Sequence, residues 1–300
     1  MKRLPVRLTD KVYALGHDIF LTYLIIGETC TLIDMGVSAS VPLIMSQLEE
    51  LGIEPGRISD LVVLHAHWDH VCGLPYLRQL MPQATVWSSP KARDVLSKPK
   101  IVEQFCHNDR KYCSRLKETG EFKELNDFMD YSTMAIDRTI EDGQTVNMGG
   151  VEINFITTPG HSPCTLSAYI PSEKVTIVSD ALGSYDPITD ELLAMFYQSF
   201  QMTLDSLERL RNLDTEILAY CHDTEMIFFG KKAVMDSYRR VEEELMRIKR
   251  EAARMQAEGY PEEELLEMLF LNNYKGFLTR MYPPDYIKAV APFLLRAIDL

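Results

Sequence analysis

Up to His222 the chain alternates short apolar runs with longer amphipathic stretches, and beyond it only helical periodicity remains. Val12-Tyr13-Ala14-Leu15, Thr22-Tyr23-Leu24-Ile25-Ile26 and Thr31-Leu32-Ile33 read as strands, followed by a helix near Val41 to Leu51. Asp60-Leu61-Val62-Val63-Leu64 is apolar and β-branched enough to be a buried strand, with a helix-like segment starting at Gly73. Residues 97–140 interrupt this pattern with charged, mostly helical sequence carrying Phe105, His107, Tyr112, Phe122, Phe128 and Tyr131; we expect a lid or pocket wall. Strand patterning resumes at Thr145 and includes Val151 to Ile156, Val175 to Ser179 and Glu216 to Cys221. Strands and helices in alternation indicate an α/β fold.

In the last part, Val234, Tyr238, Val241, Leu245, Ile248, Ala252 and Met255 recur at alternating steps of four and three, an apolar stripe along a helix that stops near Gly259. Two more helices are expected, from Pro261 to about Leu271 and from Asp285 to Ile298. Pro283-Pro284 breaks the chain before the second of these, and Pro292 is placed to kink it. The predicted organisation is a domain over 1–230, with 97–140 as a helical insert, and a C-terminal helical extension over 231–300. The stripe packs on the main domain or forms an interface, which leaves a homodimer through the C-terminal helices as an expected partner mode.

Chemistry concentrates where the strands end. His65-Ala66-His67-Trp68-Asp69-His70 places four metal-ligand side chains in six positions directly after a strand. His65 and His67, two apart, point the same way from extended chain, whereas Asp69 and His70 fall on the following turn and can face a second ion. His161 follows the Pro159-Gly160 turn, Asp180 ends Val175 to Ser179, and His222 follows Glu216 to Cys221. Each repeats one pattern, a buried strand and then a ligand type.

This series resembles the metallo-β-lactamase superfamily: His65-x-His67-x-Asp69-His70, then Pro159-Gly160-His161, Ser179-Asp180 and His222, with Leu32-Ile33-Asp34-Met35-Gly36 as the early strand signature, over residues 10 to 230. The resemblance implies an αββα sandwich with a dinuclear centre. His65, His67 and His161 would hold one metal and Asp69, His70 and His222 the other, with Asp180 bridging and Asp34 behind the ligands. The Asp180 bridge separates the pattern from the true β-lactamases. The helical insert and tail, with His70 to Leu77, Ser179 to Asp186 and Leu204 to Leu210, further resemble the PqsE-like group of thioesterases and quinolone-signal response proteins. Two positions depart from the pattern: Ser184 stands in place of Glu, and Asp223 follows His222 in place of Gly.

Composition limits the reading. With 46% hydrophobic residues in 300, the chain can bury one substantial core and an appendage. No run reaches membrane-spanning length, and the basic N-terminus has no signal-peptide core, so a cytoplasmic protein without membrane contact is expected. A net charge of -13 disfavours nucleic-acid phosphates. The basic cluster from Lys91 to Lys117 reads as a solvated helical face. Six scattered cysteines form no Cys-x-x-Cys pair, and Cys72, Cys164 and Cys221 beside the ligands read as small packing residues. His17 and His107 read as surface or loop residues.

Function follows from the ligand set. Two divalent ions, zinc or iron, with manganese also suited to these donors, would lower the pKa of a shared water and yield a metal-bridging hydroxide that attacks a carbonyl. Asp69 is the expected catalytic residue, orienting the nucleophile and holding its proton. A thioester of acyl-CoA type is the favoured small-molecule substrate, because a thiolate leaves without strong protonation. Ser184, Tyr185, Phe196 and Tyr197 are the expected acyl-pocket residues. The alternatives are a lactonase, a glyoxalase II-like enzyme or a phosphodiesterase; outside hydrolysis, a metal-stabilised regulatory scaffold or a diiron oxygen-reducing centre, whose usual flavin domain we do not find in this sequence.

Overall fold

Because the central strands are buried on both faces, they read in sequence as nearly continuous apolar runs. The computed structural model of the chain describes residues 4–119, 134–186, 191–275, 278–279 and 282–298. One sheet contains β1 (Val6–Arg7), β2 (Val12–His17), β3 (Phe20–Ile26), β4 (Cys30–Ile33), β5 (Ile58–Val62), β6 (Thr85–Ser88) and β7 (Arg138–Thr139), in chain order. It is antiparallel as far as β4 and parallel from β4 onward. The second sheet is built from β8 (Thr145–Met148), β9 (Val151–Thr157), β10 (Leu166–Ile170), β11 (Val175–Ser179), β14 (Ile217–Tyr220) and β15 (Ile227–Phe229). Its order is β15-β14-β11-β10-β9-β8, with β11 and β14 parallel. A small hairpin pairs β12 (Ser184–Asp186) with β13 (Glu191–Leu193).

The period of two decides what each side chain covers. On β3, Leu21, Tyr23 and Ile25 join Ile153, Phe155, Ala168 and Ile177 of the second sheet in the core between the sheets. Phe20 and Leu24 point the other way, into the layer shared with Ile44 and Leu48 of α1 (Val41–Glu50). Helices α2 (Trp68–Val71), α3 (Leu74–Leu80), α4 (Pro90–Leu96) and α5 (Pro99–Thr119) follow along the first half, and α6 (Phe200–Arg211) follows the second. The result is the expected αββα sandwich.

The expected insert contains α5, whose buried Asp109 accepts from Ser38 N at 3.0 Å and Ser38 Oγ at 2.6 Å and so ties the helix to the loop before α1. Phe122, Phe128 and Tyr131 lie outside the described residues. In the extension, α7 (Lys231–Ala257) packs on α6, β14, β15 and α8 (Glu262–Asn273). Its stripe from Val234 to Met255 is buried inside the single chain, which settles it as an intramolecular seam. The last helix, α9 (Pro284–Ile298), contains Pro292 and packs on α8 and α6. Among the described residues, no helix is long and apolar enough to cross a membrane.

Candidate metal centre

The strand expected over Asp60 to Leu64 leaves its ladder early. After Val62 the chain crosses towards the other sheet: Leu64 N donates to Asp34 Oδ1 at 2.8 Å, and Leu64 O accepts from Leu166 N at 2.8 Å. That crossing carries His65 into the gap at the sheet ends. His67 is the extended residue before α2, and the turn of α2 presents Asp69 and His70. His161 arrives on the loop between β9 and β10. A Cβ on Gly160, at φ +135°, would fall 2.1 Å from Thr203 Oγ1, so the loop closes on α6 only with glycine there. Asp180 and His222 follow the parallel neighbours β11 and β14.

These seven side chains converge. His65, His67, His161 and Asp180 can each offer one ligand atom within 4.8 Å of the others, as can Asp69, His70 and His222. Asp180 lies between the groups: Oδ2 is 3.7 Å from His65 Nε2, 3.5 Å from His161 Nε2 and 3.4 Å from His70 Nε2, while Oδ1 is 3.2 Å from His222 Nε2. His67 differs in presenting Nδ1, 2.9 Å from His161 Nε2.

Four imidazoles are fixed from behind by oxygen acceptors, the arrangement that frees the other nitrogen for a cation. His70 Nδ1 is 3.0 Å from Asp34 Oδ2, His65 Nδ1 3.1 Å from Ser179 Oγ, His161 Nδ1 2.8 Å from Met195 O and His222 Nδ1 2.7 Å from Ile19 O. The Nε2 atoms of His65 and His70 are buried without a hydrogen-bond partner, a costly state for a polar atom unless something binds there. The donor set of imidazole and carboxylate suits a hard or borderline divalent cation. The site therefore fits the ions that the sequence implies.

Electrostatics divides the histidines. Burial and neighbouring imidazoles push His65 well below its ordinary value and His67 down to about 3, and burial also lowers His161. These three are neutral and ready to ligate. Burial opposes charge on His70 and His222 too, but Asp180 and the other carboxylates outweigh it and raise both. Asp180 is held well below the carboxylate range, since His222 and His70 overcome its desolvation.

A family model, the Metallo-beta-lactamase superfamily, matches residues 19–222, which contain all seven ligand types. The chain belongs to the metallo-β-lactamase superfamily. Among curated proteins it is similar to a nitric oxide reductase of Moorella thermoacetica, 22% identical over 200 residues that cover 60% of this chain and 42% of the relative. It is also similar to a hydroxyacylglutathione hydrolase of Hyphomonas neptunium, 28% identical over 86 residues that cover 29% of this chain and 32% of that one. The chain thus spans less than half the length of these relatives. A metallo-beta-lactamase family protein from Thermus thermophilus superposes with a TM-score of 0.64 at 18% identity, covering 97% of this chain and 94% of the other. A metallo-beta-lactamase variant from Cronobacter sakazakii gives 0.61 at 21%, covering 85% and 99%. Identities this low establish the shared fold.

Beyond the superfamily match, the tail completes the site. A cavity of about 480 Å³ opens over His67, Asp69, His161 and Asp180, and its other walls are Trp68, Phe105, Met195 and Tyr197 with Leu278, Tyr282, Tyr286, Ile287, Val290 and Phe293. A second cavity of about 520 Å³, between α7 and α8, is lined by both signs of charge, Arg240, Arg247, Arg250 and Lys275 with Glu243 and Glu244, and touches none of the seven candidate ligands. Of the expected pocket residues, only Tyr197 lines the cavity over the ligands. Ser184 is buried and donates to Met226 Sδ at 3.2 Å; Tyr185 faces Phe228 and the Arg240 guanidinium, 4.5 Å from its ring. Phe196 is core, edge-on to Phe200. All three lie outside the cavity over the ligands.

Sequence reasoning did not single out Trp68, nor name the tail residues Leu278, Tyr282, Tyr286, Ile287, Val290 and Phe293. A signal existed in α9, which is apolar on more than one face: Ile287, Ala291 and Leu294 are buried, while Tyr286 and Phe293 remain 37% and 49% exposed. His17 pairs with Asp18 at 2.7 Å and His107 is exposed on α5, both away from the centre. The cysteines are free and buried. Cys221 Sγ donates to Asp34 Oδ2 at 3.1 Å, and Cys164 Sγ accepts from Ala66 N at 3.4 Å, so both thiols brace the ligand loops. Asp223, found where glycine is usual, keeps the positive φ of +66° that position requires and accepts from Glu225 N at 2.9 Å.

Proposed function

We propose that the chain is a dinuclear metal-dependent hydrolase acting on a thioester of acyl-CoA type in the cytoplasm. The observation that carries this reading is the position of Asp180 between two groups of histidine and carboxylate, at the floor of a largely apolar cavity. Two divalent cations there supply Lewis acidity towards a carbonyl and a water made nucleophilic near neutral pH. His65, His67 and His161 would hold one, Asp69, His70 and His222 the other, and Asp180 both. Asp69, which lines the cavity, would orient the attacking water and accept its proton. Trp68, Phe105, Tyr197 and the α9 residues exclude bulk water and receive the acyl chain. A thiolate leaves without a dedicated acid. The helices over the pocket are also what supports placement near the PqsE-like thioesterases.

A glyoxalase II-like activity is the second reading, favoured by the repeated similarity to hydroxyacylglutathione hydrolases. Elemental analysis of protein purified without added metal, combined with acyl-CoA, S-acylglutathione, lactone and phosphodiester substrates, tests both. About two ions per chain and preferential acyl-CoA cleavage are expected. Preference for S-acylglutathione selects the second reading. Bound iron with no hydrolysis of any substrate overturns both and favours redox chemistry.

A further inference from the structure

Ser179 ends β11 with φ +48°, in the left-handed region where a side chain is disfavoured and glycine is the ordinary choice. Its hydroxyl does what glycine cannot. Oγ lies 3.1 Å from His65 Nδ1 and 2.9 Å from Asp34 Oδ2. Because His65 Nε2 faces the other ligands without a hydrogen-bond partner, the lone pair belongs there and the proton on Nδ1. The Nδ1–H then donates to Oγ, and the Ser179 O–H donates to Asp34. The same Asp34 oxygen accepts from His70 Nδ1 and from Cys221 Sγ, and the other oxygen accepts from Leu64 N. One fully buried carboxylate thereby orients a ligand from each cation group, directly for His70 and through Ser179 for His65.

We propose that Ser179 is a positioning residue that relays Asp34 to His65, so that a single carboxylate sets both halves of the centre. This rests on the dinuclear reading above, and the experiment separates the two. Metal-stripped protein is titrated with zinc in competition with a chelating dye, and its fold is followed by near-ultraviolet circular dichroism. Ser179→Ala is expected to weaken one zinc equivalent about 10- to 100-fold, the loss typical when the partner of a ligating histidine is removed. The other equivalent keeps its affinity, because His70 retains its direct bond to Asp34. Ser179→Gly is expected to show the same loss yet to melt higher than the alanine variant when metal-free, since glycine accepts the positive φ. Native affinity at both equivalents in a folded variant, or equal weakening of both, overturns the relay alone. A native chain that takes up no zinc overturns the relay together with the dinuclear reading.

Discussion

Tyr282 donates its phenolic hydrogen to Asp69 Oδ2 at 3.1 Å, joining a residue just before the last helix to a candidate ligand more than two hundred positions earlier. Tyr282 stacks on Tyr286, with ring centroids 4.6 Å apart and planes at 8°. Trp68 Nε1 in turn donates to Tyr286 Oη at 3.4 Å. The α2 turn and the tail are therefore one assembly. Burial, and then the charge of Asp69, raise the Tyr282 pKa, so the phenol stays a donor at neutral pH.

Removing that hydroxyl should leave the centre assembled but poorly aligned. A hydrogen bond to a charged acceptor is worth about 1.5–3 kcal/mol, so Tyr282→Phe is expected to lower kcat about 10- to 100-fold with little change in KM and undiminished metal content. Steady-state kinetics with elemental analysis checks this. A variant with native kcat would show that Asp69 is held well enough by its other neighbours.

His67→Ala and Asp180→Asn remove ligands that stand at strand ends and not in the packed layers. Both variants are expected to fold, with unchanged far-ultraviolet circular dichroism, and to lose hydrolysis by more than about a thousandfold, a loss of over ~4 kcal/mol in transition-state stabilisation. Asp180→Asn should lose bound metal from both groups, His67→Ala from one. Full activity in metal-stripped native protein would contradict the assignment of all seven.

The metal-free chain should be most stable close to neutrality. His70 and His222 have raised folded pKa values, so their contribution is complete below the unfolded value of about 6.5 and is lost as pH rises through the folded values. His67, lowered to about 3, acts in the opposite sense: stability falls as pH drops from about 6.5 towards that value. Asp180 adds a loss at still lower pH. Thermal melts with and without chelator should show the stabilisation by added zinc growing on the alkaline side, where no proton must be displaced. Stabilisation greatest in acid would refute the assigned shifts.

What was legible in the sequence is the part that repeats a local pattern. The strand runs and the ligand after each one are set by neighbours in sequence, so the sandwich and the convergence of His65, His67, Asp69, His70, His161, Asp180 and His222 could be anticipated. The pocket wall could be anticipated only in outline: Phe105 of the expected insert and Tyr197 do line the cavity, but the individual tail residues could not be named. Tyr185 and Phe196 follow the ligand strands closely, yet β12 turns Tyr185 towards Arg240 and the packing of α6 claims Phe196. Tyr282 and Phe293 reach the cavity because the tail folds back; the apolar residues on more than one face of α9 mark a second contact surface, but not which part of the chain it meets. The stripe on α7 was legible as apolar, but its partner became clear only with the packing of α6 and α8.

Leu245 and Ile248, each 1% exposed, sit at the centre of that stripe. Burying each is worth about 1.5–3 kcal/mol, and a glutamate in either place would bring an unpaired charge into the seam. The double change to Glu is expected to lower Tm at every protein concentration, with no concentration dependence to suggest a dissociating dimer. A folded monomer of native stability, seen by sedimentation, would contradict the intramolecular packing.

Substrate size should be read by α9. Deleting the tail after Lys232 is a poor test, because it removes α7 and exposes the apolar surface of α6, β14 and β15 that α7 covers, so general unfolding would mask any effect on the pocket. Val290 and Phe293 offer a cleaner one: both line the cavity, and Phe293 is half exposed at its outer side, so trimming it removes wall without opening the core. Phe293→Ala removes apolar surface that a long acyl chain would cover, and at about 25 cal/mol per Å² a loss of some tens of Å² of contact raises KM several-fold. A short acyl thioester does not reach that far. The expected outcome is therefore a KM raised about three- to tenfold for a long-chain substrate and unchanged for an acetyl one, with kcat and metal content preserved. Equal effects on the two would mean that α9 covers the centre without contacting the substrate.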